Sequence, residues 1–220
     1  MNGAARIFLV DDHDLVRAGL SAILQTAGFQ VVGETENGRA AVEAIPNIKP
    51  DVVLMDITMP ELNGIDATRR LLLAGPQLKV IALSMNSDRR SIIHMFQAGA
   101  SGYLLKTSAP EELLTAVRAV VAGHKYVSPK IAGVLVGALA HGSDELGLGA
   151  PSSARALTIR EREILQLVAE GKTSKEIGDR MNIAVATVET HRRQIMDKLG
   201  LRTIAELTKY AIREGLTSLE

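Results

Sequence analysis

Five side chains that together can carry out phosphoryl transfer follow short apolar runs of the sequence. Asp11 and Asp12 follow RIFLV, Asp56 follows VVLM, Ser84 follows VIAL and Lys106 follows YLL. Three carboxylates held close together repel one another unless a cation neutralises them. Oxygen donors of this kind suit Mg²⁺, which binds one or two carboxylates and shares phosphate oxygens. A cation, an ammonium group, a hydroxyl and a carboxylate around one point make a phosphoryl site, with Asp56 as the best-placed nucleophile.

The elements that must position these side chains are predicted by hydrophobic periodicity. Between residues 5 and 122, short apolar runs alternate with amphipathic stretches, which indicates five βα units and a doubly wound parallel sheet. If the strand order is 2-1-3-4-5, the first and third strands are neighbours, and the three acids converge at the carboxyl edge. The predicted strands are RIFLVDD, FQVVGETE, DVVLMD, LKVIALS and SGYLLK, and the predicted helices begin near Leu15, Arg39, Gly64, Asp88 and Pro110.

Each of these residues also has an ordinary structural explanation when it is taken alone. Asp12 could cap the helix that starts near Asp14, and Ser84 could be a plain strand-end hydroxyl. Lys106 could be a solvated lysine. Their joint placement at the ends of four of the five predicted strands favours a common site.

Residues 5–122 resemble a response-regulator receiver domain, with Asp11 and Asp12 as the acidic pair and Asp56 as the phosphoacceptor. The resemblance implies that a sensor histidine kinase donates the phosphoryl group. It also implies that Asp12 binds Mg²⁺ directly, that Asp11 acts largely through water, and that the backbone carbonyl of Thr58 completes the protein ligands.

The same resemblance gives roles to three residues on the fourth and fifth predicted strands. Ser84 would be the switch hydroxyl, Lys106 the lysine that contacts the phosphoryl group, and Tyr103 the aromatic residue that changes rotamer on activation. Tyr103 could otherwise be a tyrosine on a strand near the surface. Thr107 departs from the commonest receiver pattern, in which proline follows the lysine.

The sequence changes character after the predicted fifth βα unit. A short apolar segment from Pro129 to Ala140 is predicted to form a sixth helix, and residues 141–156, HGSDELGLGAPSSARA, are rich in Gly, Ser and Pro and are predicted to be a linker. Beyond it only helical patterns occur, in TIREREILQLVAEG, TSKEIGDRMNI, VATVETHRRQIMDKLG and TIAELTKYAIREG. We therefore expect a receiver-like domain at 1–125, a short helix and flexible linker at 126–156, and an all-α four-helix domain at 157–220.

The third helix of this second domain is predicted to have one buried and one exposed face. Val188, Ile195 and Leu199 share the face that must be buried. The short helix before it completes a helix-turn-helix layout, whose second helix could enter the major groove of DNA. A four-helix interaction module with a solvated face fits the periodicity equally well. Residues that could contact phosphates or bases are Lys175, Arg192, Arg193, Lys198 and Arg202.

Residues 157–216 closely resemble the LuxR-type helix-turn-helix, and with the receiver this makes a NarL/FixJ-type response regulator across nearly the whole chain. The resemblance implies double-stranded DNA as a partner. It also implies an active homodimer that contacts through the last helix, Thr203 to Glu214, and binds paired half-sites. Base contacts would come from Glu189, Thr190 and Arg193, and backbone or packing contacts from Thr187 and His191.

Glu189 departs from many members of that family, which carry a lysine at this position. A glutamate cannot bind a phosphate or a guanine, but it can accept a hydrogen bond from the amino group of cytosine. We therefore expect an operator preference different from that of lysine-bearing relatives.

Composition and charge limit the other classes of function. The chain is 46% apolar and 23% charged, with 25 basic and 25 acidic residues, so bulk charge does not indicate nucleic-acid binding. The absence of cysteine excludes disulfides and thiolate sites. The N-terminus lacks the layout of a signal peptide, and the longest apolar run, IAGVLVGALA, is too short to span a bilayer. We expect a cytoplasmic protein with no membrane partner.

Two other functions remain open from the residues. One is an aspartyl-phosphate phosphatase of the haloacid-dehalogenase type, but Thr58 occupies the position where those enzymes need a second aspartate. The other is a DNA-binding regulator that protein partners control independently of phosphate. The complete acidic set argues against the second, and we expect a regulator and not an enzyme.

Overall fold

The computed structural model describes residues 4–85, 87–140 and 157–217. Internal contacts divide the chain into two compact units, Met1–Gly142 and Ser143–Glu220. The predicted linker, residues 141–156, lies outside the described residues.

The first unit is built on a parallel sheet. Its strands are β1 (Arg6–Val10), β2 (Gln30–Thr35), β3 (Val52–Asp56), β4 (Lys79–Ser84), β5 (Gly102–Leu105) and β6 (Tyr126–Val127). They form a six-stranded sheet in the order β2-β1-β3-β4-β5-β6, and every neighbouring pair is parallel. The predicted order of the first five strands and the doubly wound fold class are confirmed.

The sheet has one strand more than the five that the sequence predicted. β6 pairs with β5 through Gly102 opposite Tyr126 and Tyr103 opposite Val127. The amide of Ser128 also donates a hydrogen bond to the carbonyl of Tyr103, at 3.1 Å. A strand of two residues is too short to produce a recognisable apolar pattern, so periodicity gave no signal for it.

Helices follow the strands in alternation, and those of the first five βα units begin within one residue of the predicted positions. They are α1 (Asp14–Thr26), α2 (Gly38–Ile48), α3 (Gly64–Ala74), α4 (Arg89–Gln97), α5 (Pro110–Val121) and α6 (Pro129–Ala140). The side chains of Asn37, Asn63 and Asp88 accept hydrogen bonds from the first turns of α2, α3 and α4. These caps satisfy backbone donors that a helix leaves unpaired at its start.

The sheet is covered on both faces, which fixes the strand ends in place. β3 is buried along its whole length, with Val53 and Met55 on one face and Val52 and Leu54 on the other. The first pair belongs to a core that includes α2, α3 and α4, and the second pair to a core that includes α1 and α5. Because helices cover both faces, the loops at the carboxyl edge are where the sheet can build a site.

The described part of the second unit is helical, in agreement with the prediction. Its helices are α7 (Ile159–Ala169), α8 (Ser174–Met181), α9 (Val185–Leu199) and α10 (Ile204–Arg213). Thr158, Thr173 and Thr203 each form a capping box with the glutamate three residues later, before α7, α8 and α10. Asn182 and Gly200 end α8 and α9 in the left-handed conformation.

One apolar core joins the helices of this unit. It includes Ile164 from α7, Ile177 from α8, Val188 and Ile195 from α9 and Leu207 from α10, all at most 1% exposed. α9 is therefore fixed along one face, and its other face is exposed. Over the described ranges of both units, no helix has the length and apolar character needed to cross a bilayer.

Candidate functional site

The predicted carboxylates converge at the carboxyl edge of the sheet. Asp11 directly follows β1, Asp56 is the last residue of β3, and these two strands are neighbours. Asp11 is fully buried and Asp56 is 3% exposed. One ligand atom from each of Asp11, Asp12, His13 and Asp56 lies within 4.8 Å of the others. The strand order thus forms the acidic cluster that the sequence predicted.

Lys106 is the counter-charge of this cluster. Its Nζ lies 2.7 Å from Asp56 Oδ2 and 2.7 Å from Asp11 Oδ2, and its side chain is 4% exposed. The backbone amide of Lys106 donates to the carbonyl of Ser84 at 2.7 Å, which fixes the chain where β5 ends. The other interpretation of Lys106 from the sequence, a lysine whose side chain lies in solvent, is therefore wrong.

Burial dominates the electrostatics of this site. Desolvation raises the pKa of Asp56 to about 7; Lys106 opposes the shift, and the charges of Asp11 and Asp12 add to it. For Lys106 burial would lower the pKa, but the attraction and hydrogen bonds of Asp56 and Asp11 outweigh burial and raise it. Asp11 and Asp56 thus share one ammonium group, and with Asp12 beside them the site has more negative than positive charge.

The oxygen donors of the cluster fit a divalent cation. Asp11 Oδ2 and Asp12 Oδ1 are both buried; Asp11 Oδ2 lies 2.7 Å from Lys106 Nζ, and Asp12 Oδ1 lies 2.7 Å from Nδ1 of His13. Lys106 brings one positive charge to a cluster of three carboxyl groups, and the remaining negative charge is costly to bury unless a further cation offsets it. Hard oxygen donors are the ligands that Mg²⁺ takes, so this cluster could hold that metal.

His13 is a member of the cluster that sequence reasoning missed. Its Nδ1 lies 2.7 Å from Asp12 Oδ1 and 3.4 Å from Asp11 Oδ1, and its amide donates to Asp11 Oδ1 at 2.9 Å. His13 occupies the cap position of α1, so the alternative role of Asp12 as the cap is wrong. A histidine directly after the acidic pair was the available signal, but spacing alone does not show where its ring lies.

Ser84 and Tyr103 form a hydroxyl pair beside the carboxylates. Ser84 ends β4 and is 7% exposed, whereas Tyr103 on β5 is fully buried. The two side chains hydrogen-bond each other, and burial, the largest influence, raises the pKa of Tyr103 to about 12. The alternative of a tyrosine near the surface is therefore wrong. Tyr103 and the predicted switch hydroxyl are in direct contact.

The loop after β3 is held close to Asp56. The amide of Thr58 is 3.4 Å from Asp56 Oδ1, and the amide of Gly64 donates to the carbonyl of Ile57 at 2.8 Å. A Cβ atom at Gly64 would lie 1.9 Å from the backbone oxygen of Asp56. Only glycine permits this approach of α3 to the acceptor strand. On the lysine side of the site, the peptide bond between Lys106 and Thr107 is trans.

The residues predicted to contact DNA divide into two groups by exposure. On the opposite, inner face of α9, Val188 and Ile195 are buried as predicted, and Leu199 is half-buried. The half-buried members of the predicted contact set are His191, Arg192 and Lys198. The exposed members are Lys175, Thr187, Glu189, Thr190, Arg193 and Arg202.

Lys198 has a structural contact that the sequence did not indicate. Its Nζ lies 2.8 Å from Oε2 of Glu161, which is 4% exposed and which also accepts the amide of Thr158 in the capping box of α7. The end of α9 is thereby tied to the start of α7.

Comparison with known families identifies both units. The response regulator receiver domain matches residues 7–118, and the bacterial regulatory proteins of the luxR family match residues 155–211. The chain belongs to the response regulators of the luxR family. This result confirms the resemblances drawn from the two sets of motifs.

Similar proteins cover nearly the whole response regulator. The oxygen regulatory protein NreC of Staphylococcus aureus is 37% identical over 213 residues, which are 96% of this chain and 98% of that protein. The solved structure of ChrA, a response regulator of a heme-sensing two-component system, is 32% identical with a TM-score of 0.53, covering 98% of this chain and 100% of that chain. A solved complex of the response regulator RcsB with DNA is 26% identical with a TM-score of 0.59, covering 96% and 98%.

The helix-turn-helix of this response regulator contains a polar cluster that sequence reasoning also missed. Ser174, the first residue of α8, donates a hydrogen bond from Oγ to Oε1 of Glu189 on α9. Arg192 Nη1 donates to Ser174 Oγ at 2.7 Å and to Glu189 Oε1 at 3.1 Å. The pairing of Glu189 with Arg192 three residues later was a possible signal. The participation of Ser174 required the packing of α8 against α9.

Proposed function

We propose that this response regulator accepts a phosphoryl group on Asp56 from a sensor histidine kinase and in response binds specific DNA sequences as a transcriptional regulator. The observation that supports this best is the contact of Lys106 with both Asp56 and Asp11, 2.7 Å from each, in an otherwise acidic cluster. A buried carboxylate with an ammonium group beside it is arranged to accept a phosphoryl group and to offset its charge.

The transfer follows from these positions. An oxygen of the Asp56 carboxylate attacks the phosphorus of a phosphohistidine; the P–N bond breaks, and the electron pair leaves with the imidazole of the kinase. Lys106 contacts an oxygen of the transferred group and offsets part of its negative charge. The bond that forms is the P–O bond of an acyl phosphate on Asp56, and water does not take part in this transfer.

Asp11, Asp12 and Asp56, with the backbone carbonyl of Thr58, would hold Mg²⁺ at this site. The support is the convergence of these carboxylates, because one ligand atom from each of Asp11, Asp12 and Asp56 lies within 4.8 Å of the others. When bound, Mg²⁺ neutralises the charge of the carboxylates and of the phosphoryl oxygens.

Ser84 and Tyr103 would transmit the change. The Ser84 hydroxyl hydrogen-bonds the new acyl phosphate, and its loop moves towards Asp56. Because Tyr103 hydrogen-bonds Ser84 and is fully buried, the two side chains rearrange together. The phosphoryl group thereby favours one of two arrangements of the α4 and α5 surface.

α9 would be the recognition helix, with double-stranded DNA as the ligand. Its exposed face presents Glu189, Thr190 and Arg193 to the bases, and the similar protein RcsB has been solved in complex with DNA. The active form would be a homodimer, with α10 as the contact in this unit. Backbone contacts would come from Lys175, Thr187, His191, Arg192, Lys198 and Arg202.

The same proposal includes the division of the chain and its location. The receiver would comprise residues 1–125, the short helix and linker 126–156, and the DNA-binding domain 157–220. The protein would act in the cytoplasm, where the kinase donor and the chromosome are both accessible.

Intact-protein mass spectrometry tests the chemical step. After incubation with acetyl phosphate and Mg²⁺, we expect one added phosphoryl group, which a chelator prevents and which Asp56→Asn does not acquire. The asparagine variant is matched in size, so a difference in labelling reports the carboxylate. An adduct retained in Asp56→Asn would locate the acceptor elsewhere and contradict the proposal.

A further inference from the structure

Ser174, Glu189 and Arg192 form a closed ring of hydrogen bonds, here called the α8–α9 ring. Arg192 Nη1 donates to Ser174 Oγ, Ser174 Oγ donates to Glu189 Oε1, and Arg192 Nη1 also donates to Glu189 Oε1. Two donors therefore converge on one carboxylate oxygen of a residue in the proposed recognition helix. This arrangement limits the rotation of the Glu189 carboxylate, because one of its donors is on another helix.

The members of the ring differ in exposure. The side chain of Arg192 is 22% exposed, whereas that of Glu189 is 53% exposed. The guanidinium group thus lies against the protein, and the carboxylate remains open to a ligand. The charge of Arg192 is already paired with Glu189, which makes it less available to a DNA phosphate than an unpaired arginine would be.

A surface ion pair of this kind contributes little to stability, so stability is a poor explanation of the ring. The ring changes the charge that the proposed recognition helix presents more than it changes stability. Next to DNA phosphates an unpaired glutamate is repelled, and Arg192 neutralises that charge at a distance of 3.1 Å. The paired carboxylate can approach a base edge while remaining a hydrogen-bond acceptor.

We propose that Arg192 and Ser174 are positioning residues that hold Glu189 to accept a hydrogen bond from the 4-amino group of a cytosine in the major groove. The cytosine amino group is the donor that a carboxylate matches there. This inference rests on the proposed function, because it requires that α9 enters the major groove. It changes the expected role of Arg192, which becomes a determinant of sequence preference and not an anchor for phosphate.

The test begins with selection of a binding site by the phosphorylated full-length protein from random duplexes. Glu189→Gln identifies the base pair concerned, because glutamine keeps the size but brings an amide donor to the base. At that pair, cytosine is then replaced by 2-pyrimidinone, which lacks only the 4-amino group. We expect the wild-type protein to lose about tenfold in affinity on this replacement.

The positioning role is measured by the same ratio of affinities in two variants. Arg192→Ala and Ser174→Ala should each reduce the tenfold preference for the amino group to about twofold or less. Lys175→Ala is the matched control on α8: as a phosphate contact it should weaken binding to both duplexes and reduce the salt dependence, with the ratio retained. Thermal unfolding of each variant shows whether the fold is kept, and Ser174→Ala removes only a hydroxyl.

Three outcomes would overturn the inference. Glu189→Gln could leave every base preference unchanged, which would exclude Glu189 as a base contact. Arg192→Ala could keep the ratio but reduce the salt dependence as Lys175→Ala does, and Arg192 would then be a phosphate contact. In both cases sequence-specific binding by the wild type would still support the proposed function. If the phosphorylated wild type selects no sequence, the proposed function fails together with the inference.

Discussion

At the edge of the sheet Lys106 is 4% exposed and lies 2.7 Å from two carboxylates, whereas on α9 the pair of Arg192 and Glu189 is 22% and 53% exposed. The first site removes its charges from water, and this desolvation is the main reason why the pKa of Asp56 rises to about 7. The second keeps its charges in water, where pairing is weak. Buried charge makes the first site sensitive to a single added phosphoryl group. The exposed charges of the second site remain available to contact the bases of DNA.

This contrast predicts the largest effect for the loss of the buried ammonium group. Lys106→Met should lower the free energy of unfolding by about 3–5 kcal/mol, because Asp11 and Asp56 lose their counter-charge inside the protein. Addition of Mg²⁺ should restore part of the loss by binding the folded form. Urea unfolding with and without Mg²⁺ measures both effects. Arg192→Ala is the exposed counterpart and should cost less than about 1 kcal/mol; equal losses in the two variants would remove the contrast.

The next effect concerns the backbone that supports the acceptor. Gly64→Ala should destabilise the protein by about 3 kcal/mol, because the new Cβ would lie 1.9 Å from the backbone oxygen of Asp56. Gly19→Ala in α1 is the matched control, since a Cβ there meets nothing within 4 Å and alanine favours a helix. Calorimetry should show a lower unfolding temperature for the first variant and an unchanged or higher one for the second. An undisturbed Gly64→Ala variant would show that α3 is not held tightly against β3.

On the exposed side, Arg193→Ala should weaken binding to a selected duplex by about 1–3 kcal/mol and relax the preference at one base pair. Its side chain is exposed on α9, so the stability of the fold should change by less than about 0.5 kcal/mol. Titration of selected and scrambled duplexes measures the specific component. Unchanged affinity for the selected duplex would exclude Arg193 from the base contacts.

The last predicted effect depends on pH. The pKa of Asp56 rises from 3.8 to about 7 on folding, so its contribution to stability is greatest below pH 3.8 and falls as the pH rises towards 7. Asp56→Asn removes the ionised carboxylate and, without divalent cations, should be more stable than the wild type at pH 7 by at least about 1 kcal/mol. Thermal melts between pH 4 and pH 8 in a chelator test this. A difference that does not grow with pH would mean that the carboxylate is not desolvated.

More of the site at the sheet edge than of the polar contacts on α9 could be predicted from the sequence. Asp11 and Lys106 each follow a strand and Asp56 ends one, so the sequence pattern together with a 2-1-3-4-5 strand order predicted their convergence. The strand Tyr126–Val127 has only two residues, so it leaves no apolar pattern in the sequence. His13 was missed because ring orientation depends on packing.

On α9, helical periodicity separated buried Val188 from exposed Arg193. It did not indicate the contact of Ser174 with Glu189 or that of Lys198 with Glu161, because each joins two helices across a large sequence separation. Contacts between side chains of different helices require the packing geometry, which periodicity does not contain.

The central claim is that phosphorylation of Asp56 controls DNA binding by α9. Its most direct test is the affinity of the full-length protein for a selected duplex, measured by fluorescence anisotropy at fixed salt before and after incubation with acetyl phosphate and Mg²⁺. We predict that phosphorylation tightens binding by about tenfold, within the usual range of coupling between two sites, and that Asp56→Asn shows no change. Equal affinities of the phosphorylated and unphosphorylated wild type would contradict the claim.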